Sequence, residues 1–304
     1  MKKFFTVIGV IVSVMFVFSL LGAFFGLSKF GSIQGTVTEN SILYLDLDGV
    51  IIDGKTFLKN LRKYRDDKHI KGVVVRVNSP GGVVGPSQEI YAELKRVREE
   101  WQKPVVVTVS SVAASGAYYA AIAANKVIVN PGSMLGSIGV IMEFANLEGL
   151  YNWANIKRFA LKTGPYKDSG AEYRPMREDE KQLFQNLIDG VHTQFIDAVV
   201  ESRKLEENVV RKYSDGRVFT GETAVSLGFA DQVGTFDDAV RSVGELSGLG
   251  AKPKLFEPPK ERPNVFDFLA EMKSSISIEE SIERLTQMNL SGQPLLIFPG
   301  ALRR

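Results

Sequence analysis

Two β-branched runs with almost no polar interruption constrain this chain most. Gly72-Val-Val-Val-Arg-Val77 and Val105-Val-Val-Thr-Val109 lack the strict alternation of a half-exposed strand, so both faces of each must be covered. A Gly-rich loop and then an amphipathic stretch follow the first run. Small residues and then an Ala-rich stretch follow the second. Ile42 to Leu47 adds a strand, Phe57 to Tyr64 a helix, and Gln88 to Trp101 a helix with Ile90, Leu94 and Val97 on one face. Val127 to Val129 and Val140 to Met142 read as further short strands. Buried strands alternating with helices predict an α/β fold with a largely parallel sheet.

Further on, Glu178 to Lys204 predicts a long helix whose acidic first turn suits the N-terminal dipole. Leu183, Leu187, Val191, Phe195 and Val199 recur every four residues as its expected buried stripe. Helices are also predicted from Thr220 and over Asp237 to Leu246. About 210 residues, 38–250, suffice for one sizeable core. Residues 251–263 are rich in Pro, Lys and Glu and read as extended. The apolar end, Pro294-Leu-Leu-Ile-Phe-Pro299, is too short to span a bilayer. It reads either as a tail packed on a subunit or as an extended peptide reaching a groove.

Met1-Lys2-Lys3 precedes an uncharged apolar stretch, Phe4 to Leu27. It exceeds both the roughly 20 residues a spanning helix needs and the core of a cleavable signal. The expectation is an uncleaved transmembrane helix, with a signal peptide cleaved near Ser19-Leu-Leu-Gly-Ala23 as the alternative, the lysine pair cytoplasmic and the rest of the chain outside.

The 304-residue chain contains no cysteine and two histidines, His69 and His192. Thiol chemistry and disulfides are excluded, and neither histidine has a catalytic or metal-ligand partner nearby in sequence. A Ser-His-Asp triad is unattractive, and no cofactor or metal is called for. A net charge of +2 gives no case for nucleic acid.

Chemistry concentrates in Ser110-Ser-Val-Ala-Ala-Ser115-Gly-Ala-Tyr-Tyr-Ala120. Ser115 stands where a strand turns into a helix, in the positive field of the helix start. The plain alternative is a helix cap. Asn78-Ser-Pro-Gly-Gly82 follows another parallel strand, and its glycines free backbone N–H groups to hold an oxyanion. Both loops fall at the carboxyl edge where such sheets carry their sites. With histidine set aside, lysine is the next base for a serine. Lys162 and Lys167 both qualify, and Asp168 would oppose deprotonation of Lys167 if the two paired.

Five ordered blocks then coincide with a known family. They are Asn78-Ser-Pro-Gly-Gly82, Ala113-Ala-Ser-Gly-Ala-Tyr118, Gly132-Ser-Met-Leu-Gly-Ser-Ile-Gly-Val140, Gly164-Pro-Tyr-Lys-Asp168, and Arg217-Val-Phe-Thr-Gly-Glu-Thr-Ala224 continuing to Gly228-Phe-Ala-Asp231. Over about residues 40–250 the chain resembles the signal peptide peptidase A family, membrane-anchored bacterial serine proteases. The resemblance implies a Ser–Lys dyad with Ser115 as nucleophile and Lys167, rather than Lys162, as general base. It implies that Ser137 orients the lysine. It also implies an oxyanion hole from Gly81 and Gly82, mainly the Gly82 N–H, helped near Ser115 or Gly116.

The implied fold is crotonase/Clp-protease-like, of repeated ββα units, assembled as a homo-oligomeric ring (an octamer in short-form members) where one subunit's serine meets its neighbour's lysine. Peptide substrates, chiefly cleaved signal peptides, and a single-pass cell-membrane location follow from the same likeness. The organisation becomes an anchor at 1–30, a linker at 31–40, a catalytic domain at 41–250 and a C-terminal extension at 251–304. Rival readings are a non-catalytic peptide-binding membrane scaffold, a crotonase-like acyl-CoA enzyme, and a protease acting on a membrane-protein partner.

Overall fold

The computed structural model describes residues 36–259 and 294–297. The expected anchor, and the linker through residue 35, lie outside the described residues. Among the described residues no helix is long and apolar enough to cross a membrane. In chain order the elements are β1 (Ser41–Asp48), α1 (Lys55–Arg65), β2 (Ile70–Ser79), β3 (Gly81–Val83), α2 (Val84–Glu99), β4 (Val105–Ala114), α3 (Gly116–Ala121), β5 (Lys126–Val129) and β6 (Met134–Gly136). Then come α4 (Glu148–Trp153), α5 (Glu178–Arg203), α6 (Glu207–Lys212), β7 (Val218–Thr220), α7 (Gly221–Ser226), β8 (Gln232–Val233), α8 (Phe236–Leu246), β9 (Lys254–Phe256) and β10 (Leu295–Ile297).

The main sheet runs β7-β6-β4-β2-β1-β9, with β5 also paired to β4 and β8 to β5. Every pairing in it is parallel except β6 with β7. The unbroken valine runs are explained by two covered faces. Ile42, Val74, Val106 and Ile128 lie under Ala239 and Val243 of α8. Leu43, Val73, Val75, Val105 and Val107 belong to the larger core on the opposite face, with Ile90 and Leu94 of α2. These central valines are fully buried, and each such side chain contributes about 1.5–3 kcal/mol.

β4 is longer than its valines imply. It continues through Ser110 to Ala114 and changes partners on one side, from β5 at Val106–Val109 to β6 at Val112–Ala114. The hand-over leaves the Val109 and Ser110 carbonyls without strand donors. Asn130 Nδ2 supplies them at 3.0 and 3.2 Å, and Ser133 Oγ at 3.2 and 2.6 Å, as buried backbone acceptors require.

Two expectations need correction. Val140 to Met142 is not a strand: Ile141 makes only an isolated bridge, to Leu295. The strand lies earlier, at β6, because Gly136 and Ser137 take φ of +99° and +50° and turn the chain off the sheet. The stripe of α5 is buried only in its second half. Phe195 and Val199 are fully buried, whereas Leu183 and Leu187 are each 42% exposed, because among the described residues only the second half of α5 lies on the main core. Within the Pro/Lys/Glu-rich stretch after residue 250, Lys254–Phe256 runs extended as β9 beside β1; residues 260–263 lie outside the described residues.

Candidate active site

Ser115 ends up where two strands finish together. Ala114 of β4 pairs with Gly136 of β6, and the next residue on each strand is a serine in the left-handed region, Ser115 at φ +54° and Ser137 at φ +50°. The Ser115 N–H donates to the Gly136 carbonyl at 2.7 Å, and the Ser137 N–H to the Arg217 carbonyl at 2.7 Å. A non-glycine residue held in so sparse a region costs about 1–3 kcal/mol. Sharp strand-to-helix turns of this kind present nucleophilic serines elsewhere. Ser115 is 1% exposed, and its Oγ has no hydrogen-bond partner among the described residues. It does not cap α3, so the plain reading of a capping serine is set aside. Tyr118 anchors α3 by donating to the Phe229 carbonyl at 2.8 Å. Burial pushes its phenol well above the ordinary range, so it stays a neutral donor.

The glycine loop lies alongside. Ile51 holds β3 from behind, its N–H donating to the Gly81 carbonyl at 2.9 Å and its carbonyl accepting from the Val83 N–H at 2.8 Å. Backbone groups alternate sides along a strand, so the Gly82 N–H faces the other way. There it meets β10, which runs antiparallel with Leu296 opposite Gly82. On its far side β10 meets Ile141: the Leu295 N–H donates to the Ile141 carbonyl at 2.9 Å and the Ile141 N–H to the Leu295 carbonyl at 3.0 Å. The same alternation turns the Leu296 carbonyl toward Gly82.

That carbonyl is cradled tightly. A Cβ on Gly81 (φ +95°) would run into the Leu296 oxygen and stand 2.7 Å from the Gly116 nitrogen. A Cβ on Gly116 would lie 3.0 Å from the same oxygen and collide with Ser87 Oγ. Only glycines admit a peptide carbonyl here. Leu295 and Leu296 are buried, at 2% and 0% exposure, so this part of the tail occupies a groove as an extended peptide.

Lys167 lies elsewhere in character. It sits in an exposed turn, its N–H donating to the Gly164 carbonyl at 3.3 Å. No ion pair or side-chain hydrogen bond holds its amine among the described residues. Within one chain the Ser115 hydroxyl and the Lys167 amine form no hydrogen bond. Lys162 is committed to Asp168 at 2.6 Å. The structure thus joins Ser115, Ser137, Gly81, Gly82 and Gly116 at one edge and leaves Lys167 on a separate arm.

Sequence reasoning missed three features. Ser87 packs against Gly116, its Oγ tied to the Val83 carbonyl at 2.8 Å. Arg174 and Glu180 brace the lysine turn. His192 lines a cavity of about 360 Å³ with Ser137, Ile141, Asp189 and Asp215, and its Nε2 is buried and unpartnered. The Ser87–Gly116 contact and the His192 cavity join residues distant in sequence, whereas the Arg174–Glu180 pair spans six residues across an irregular turn with no periodicity to mark it. Among the described residues no cluster could hold a metal ion.

A peptide carbonyl lying against backbone amides beside a buried serine marks the class of protein as a serine peptidase. Residues 98–250 match Peptidase family S49. A putative protease of Synechocystis sp. is 34% identical over 273 residues, covering 86% of this chain and 98% of that protein. A putative protease of Methanocaldococcus jannaschii is 35% identical over 205 residues, 67% of this chain and 65% of its own length. A putative signal peptide peptidase SppA of Enterococcus faecium is 30% identical over 225 residues, 70% of this chain and 65% of its own. The chain belongs to Peptidase family S49, as an SppA-like serine protease.

Proposed function

We propose that this chain is a membrane-anchored endopeptidase with a Ser115–Lys167 dyad that degrades remnant signal peptides and other membrane-associated peptides. One observation carries the reading: the Leu296 carbonyl sits among Gly81, Gly82 and Gly116, beside a buried serine hydroxyl that has no hydrogen-bond partner among the described residues. A substrate docks extended between β3 and Ile141, as β10 does, by strand addition. Ser115 Oγ attacks the carbonyl carbon while neutral Lys167, oriented by Ser137, takes the hydroxyl proton. The Gly82 and Gly116 N–H groups hold the oxyanion. The C–N bond breaks as the lysine returns its proton to the amine. Water, deprotonated by the same lysine, then releases the acyl-enzyme. The amine must fall about 3 units from its ordinary pKa, at a cost of about 4 kcal/mol, which needs a dry pocket.

That pocket is built between subunits of a homo-oligomeric ring, an octamer by family likeness. Three observations support this. The Ser115 hydroxyl has no hydrogen-bond partner among the described residues. Lys167 is exposed. The arm that carries it leaves Trp153, Phe159 and Leu161 exposed at 84%, 83% and 94%, more apolar surface than a solitary chain should show. The parallel sheet with a glycine-lined edge supports a crotonase/Clp-protease-like fold for domain 41–250. Residues 1–30 anchor it through linker 31–40, with the N-terminus cytoplasmic and the domain outside, supported by Lys2 and Lys3 ahead of the apolar stretch. In this reading the extension, 251–304, offers its own Leu296–Ile297 bond to the nucleophile.

A fluorophosphonate probe on the full-length protein in lipid, followed by peptide mapping, tests the assignment. Label at Ser115, with active protein ending at Leu296 and Ser115→Ala protein retaining residues 297–304, is the expected result. Absence of label in assembled protein overturns it.

A further inference from the structure

The Lys167 turn carries an acidic residue next to its proposed base, and that residue is fully engaged. Lys162 Nζ donates to Asp168 Oδ1 at 2.6 Å. Arg174 donates to the same carboxylate through Nη2 at 2.9 Å and Nε at 3.2 Å, and to the Asp168 backbone carbonyl at 2.9 Å. The Tyr173 hydroxyl lies 3.4 Å from Oδ2. Arg174 is held in turn by Glu180 in the first turn of α5, at 2.6 and 2.9 Å. The Glu180 side chain is fully buried and also bonds Arg177, through the guanidinium at 2.8 Å and the backbone N–H at 2.9 Å, with Ser169 Oγ at 3.3 Å. Arg177 is shared with Asp179 at 3.0 Å and lies over the Tyr166 ring.

We propose that Lys162 and Arg174 are positioning residues for the general base: by occupying both oxygens of Asp168 they deny that carboxylate to the adjacent Lys167, and through Glu180 Arg174 fixes the turn that presents the amine. The inference rests on Lys167 being the base. A carboxylate free to pair with Lys167 would favour its ammonium form, by about 1–3 pKa units for a close opposite charge. A catalytic lysine must start each cycle neutral, so such a pairing removes active enzyme at any pH below the raised value. The groups facing Asp168 and the turn are Lys162, Tyr166, Tyr173 and Arg174 on the arm itself and Arg177, Asp179 and Glu180 from α5. Arg174 and Lys162 hold Asp168, and Arg174 and Arg177 hold Glu180, below the ordinary carboxylate range, so both acids stay ionised and engaged wherever the enzyme would work.

The test is the pH dependence of kcat/KM on a fluorogenic peptide, for the full-length protein in lipid. The variants are Lys162→Met, Arg174→Gln, and each combined with Asp168→Asn. Freeing Asp168 should move the acid limb of the profile up by about one pH unit or more, a tenfold loss at any pH on that limb. Adding Asp168→Asn should bring the limb back. Lys162→Met leaves Arg174 on both Asp168 oxygens and on Glu180, so its limb should move less than that of Arg174→Gln, and it reads the charge effect even if Arg174→Gln loosens the arm. An unmoved acid limb in Lys162→Met and Arg174→Gln, or a limb that moves and is not restored by Asp168→Asn, overturns the proposal. Lys167→Ala in the same assay separates the two levels. Retained turnover there removes the base assignment itself, whereas lost turnover with unmoved limbs removes only the role of Lys162 and Arg174.

Discussion

The two halves of the proposed dyad are built in opposite ways. The Ser115 half is prepared inside one chain: a strained turn at the end of β4, glycine amides on a strand held from behind by Ile51, and a hydroxyl sealed from solvent. The Lys167 half is presented outward on an arm that owes its shape to ion pairs and leaves its largest apolar side chains uncovered. A nucleophile gains from preorganisation at all times. An amine that must be neutral gains only once a dry wall closes on it. On the proposed reading, one chain carries the whole serine and glycine side of the site but only an exposed base, and assembly would complete the chemistry.

The sharpest way to break this comparison is to divide the halves between chains. Ser115→Ala and Lys167→Ala should each lose at least about a thousandfold in turnover. Co-expressing the two dead variants should restore a readily measured fraction, because some interfaces then pair an intact serine with an intact lysine. No recovery in rings verified as mixed by mass spectrometry would place both groups of the dyad within one subunit. A smaller loss is expected inside the finished half. Gly116→Ala puts a methyl on Ser87 and 3.0 Å from the substrate carbonyl position, so kcat should fall by about 10²–10³, as when an oxyanion donor is lost, with the ring intact by sedimentation.

A lesser effect concerns the groove. Ile141→Pro removes the N–H that donates to Leu295. Losing one strand bond, about 0.5–1.5 kcal/mol, should raise KM by up to about tenfold with a smaller change in kcat. The mildest test is acidification. Glu180 titrates at about 2 in the folded arm, below its ordinary value, because Arg174 and Arg177 hold its ionised form. Stabilisation by a depressed carboxylate is complete above the unfolded pKa and is lost as pH falls through the folded one. Hydrogen exchange in residues 162–180 should therefore quicken between about pH 4 and 2, while exchange in β2 and β4 stays slow. Equal quickening in the sheet would erase the distinction between the halves.

Much of the sheet half was legible from local pattern. The valine runs demanded two covered faces, and α8 with the main core provides them. Thr220 at a helix start and Lys204 at a helix end also read correctly. Ser115, Gly81 and Gly82 stood out because small residues after buried strands are what a cleft needs. Where local reading failed, a backbone turn or a missing cover decided the outcome. Ile141 has strand-like neighbours in sequence, yet Ser137 turns the chain first. Leu183 and Leu187 have the spacing of a buried stripe, yet the described residues leave each 42% exposed.

By itself the sequence determined an α/β fold with a parallel core, a serine at a strand-to-helix junction, glycines at a matching loop, and the absence of any thiol. These follow from side-chain volume, periodicity and chemical inventory, which are properties of short stretches. Only the tertiary structure decided that Ser115 and Ser137 stand side by side, that the Leu296 carbonyl fills the glycine cradle, and that Asp168 is turned to Arg174 and Lys162. Each of those facts depends on strand pairing or ion pairing between residues that become neighbours only when the chain is folded.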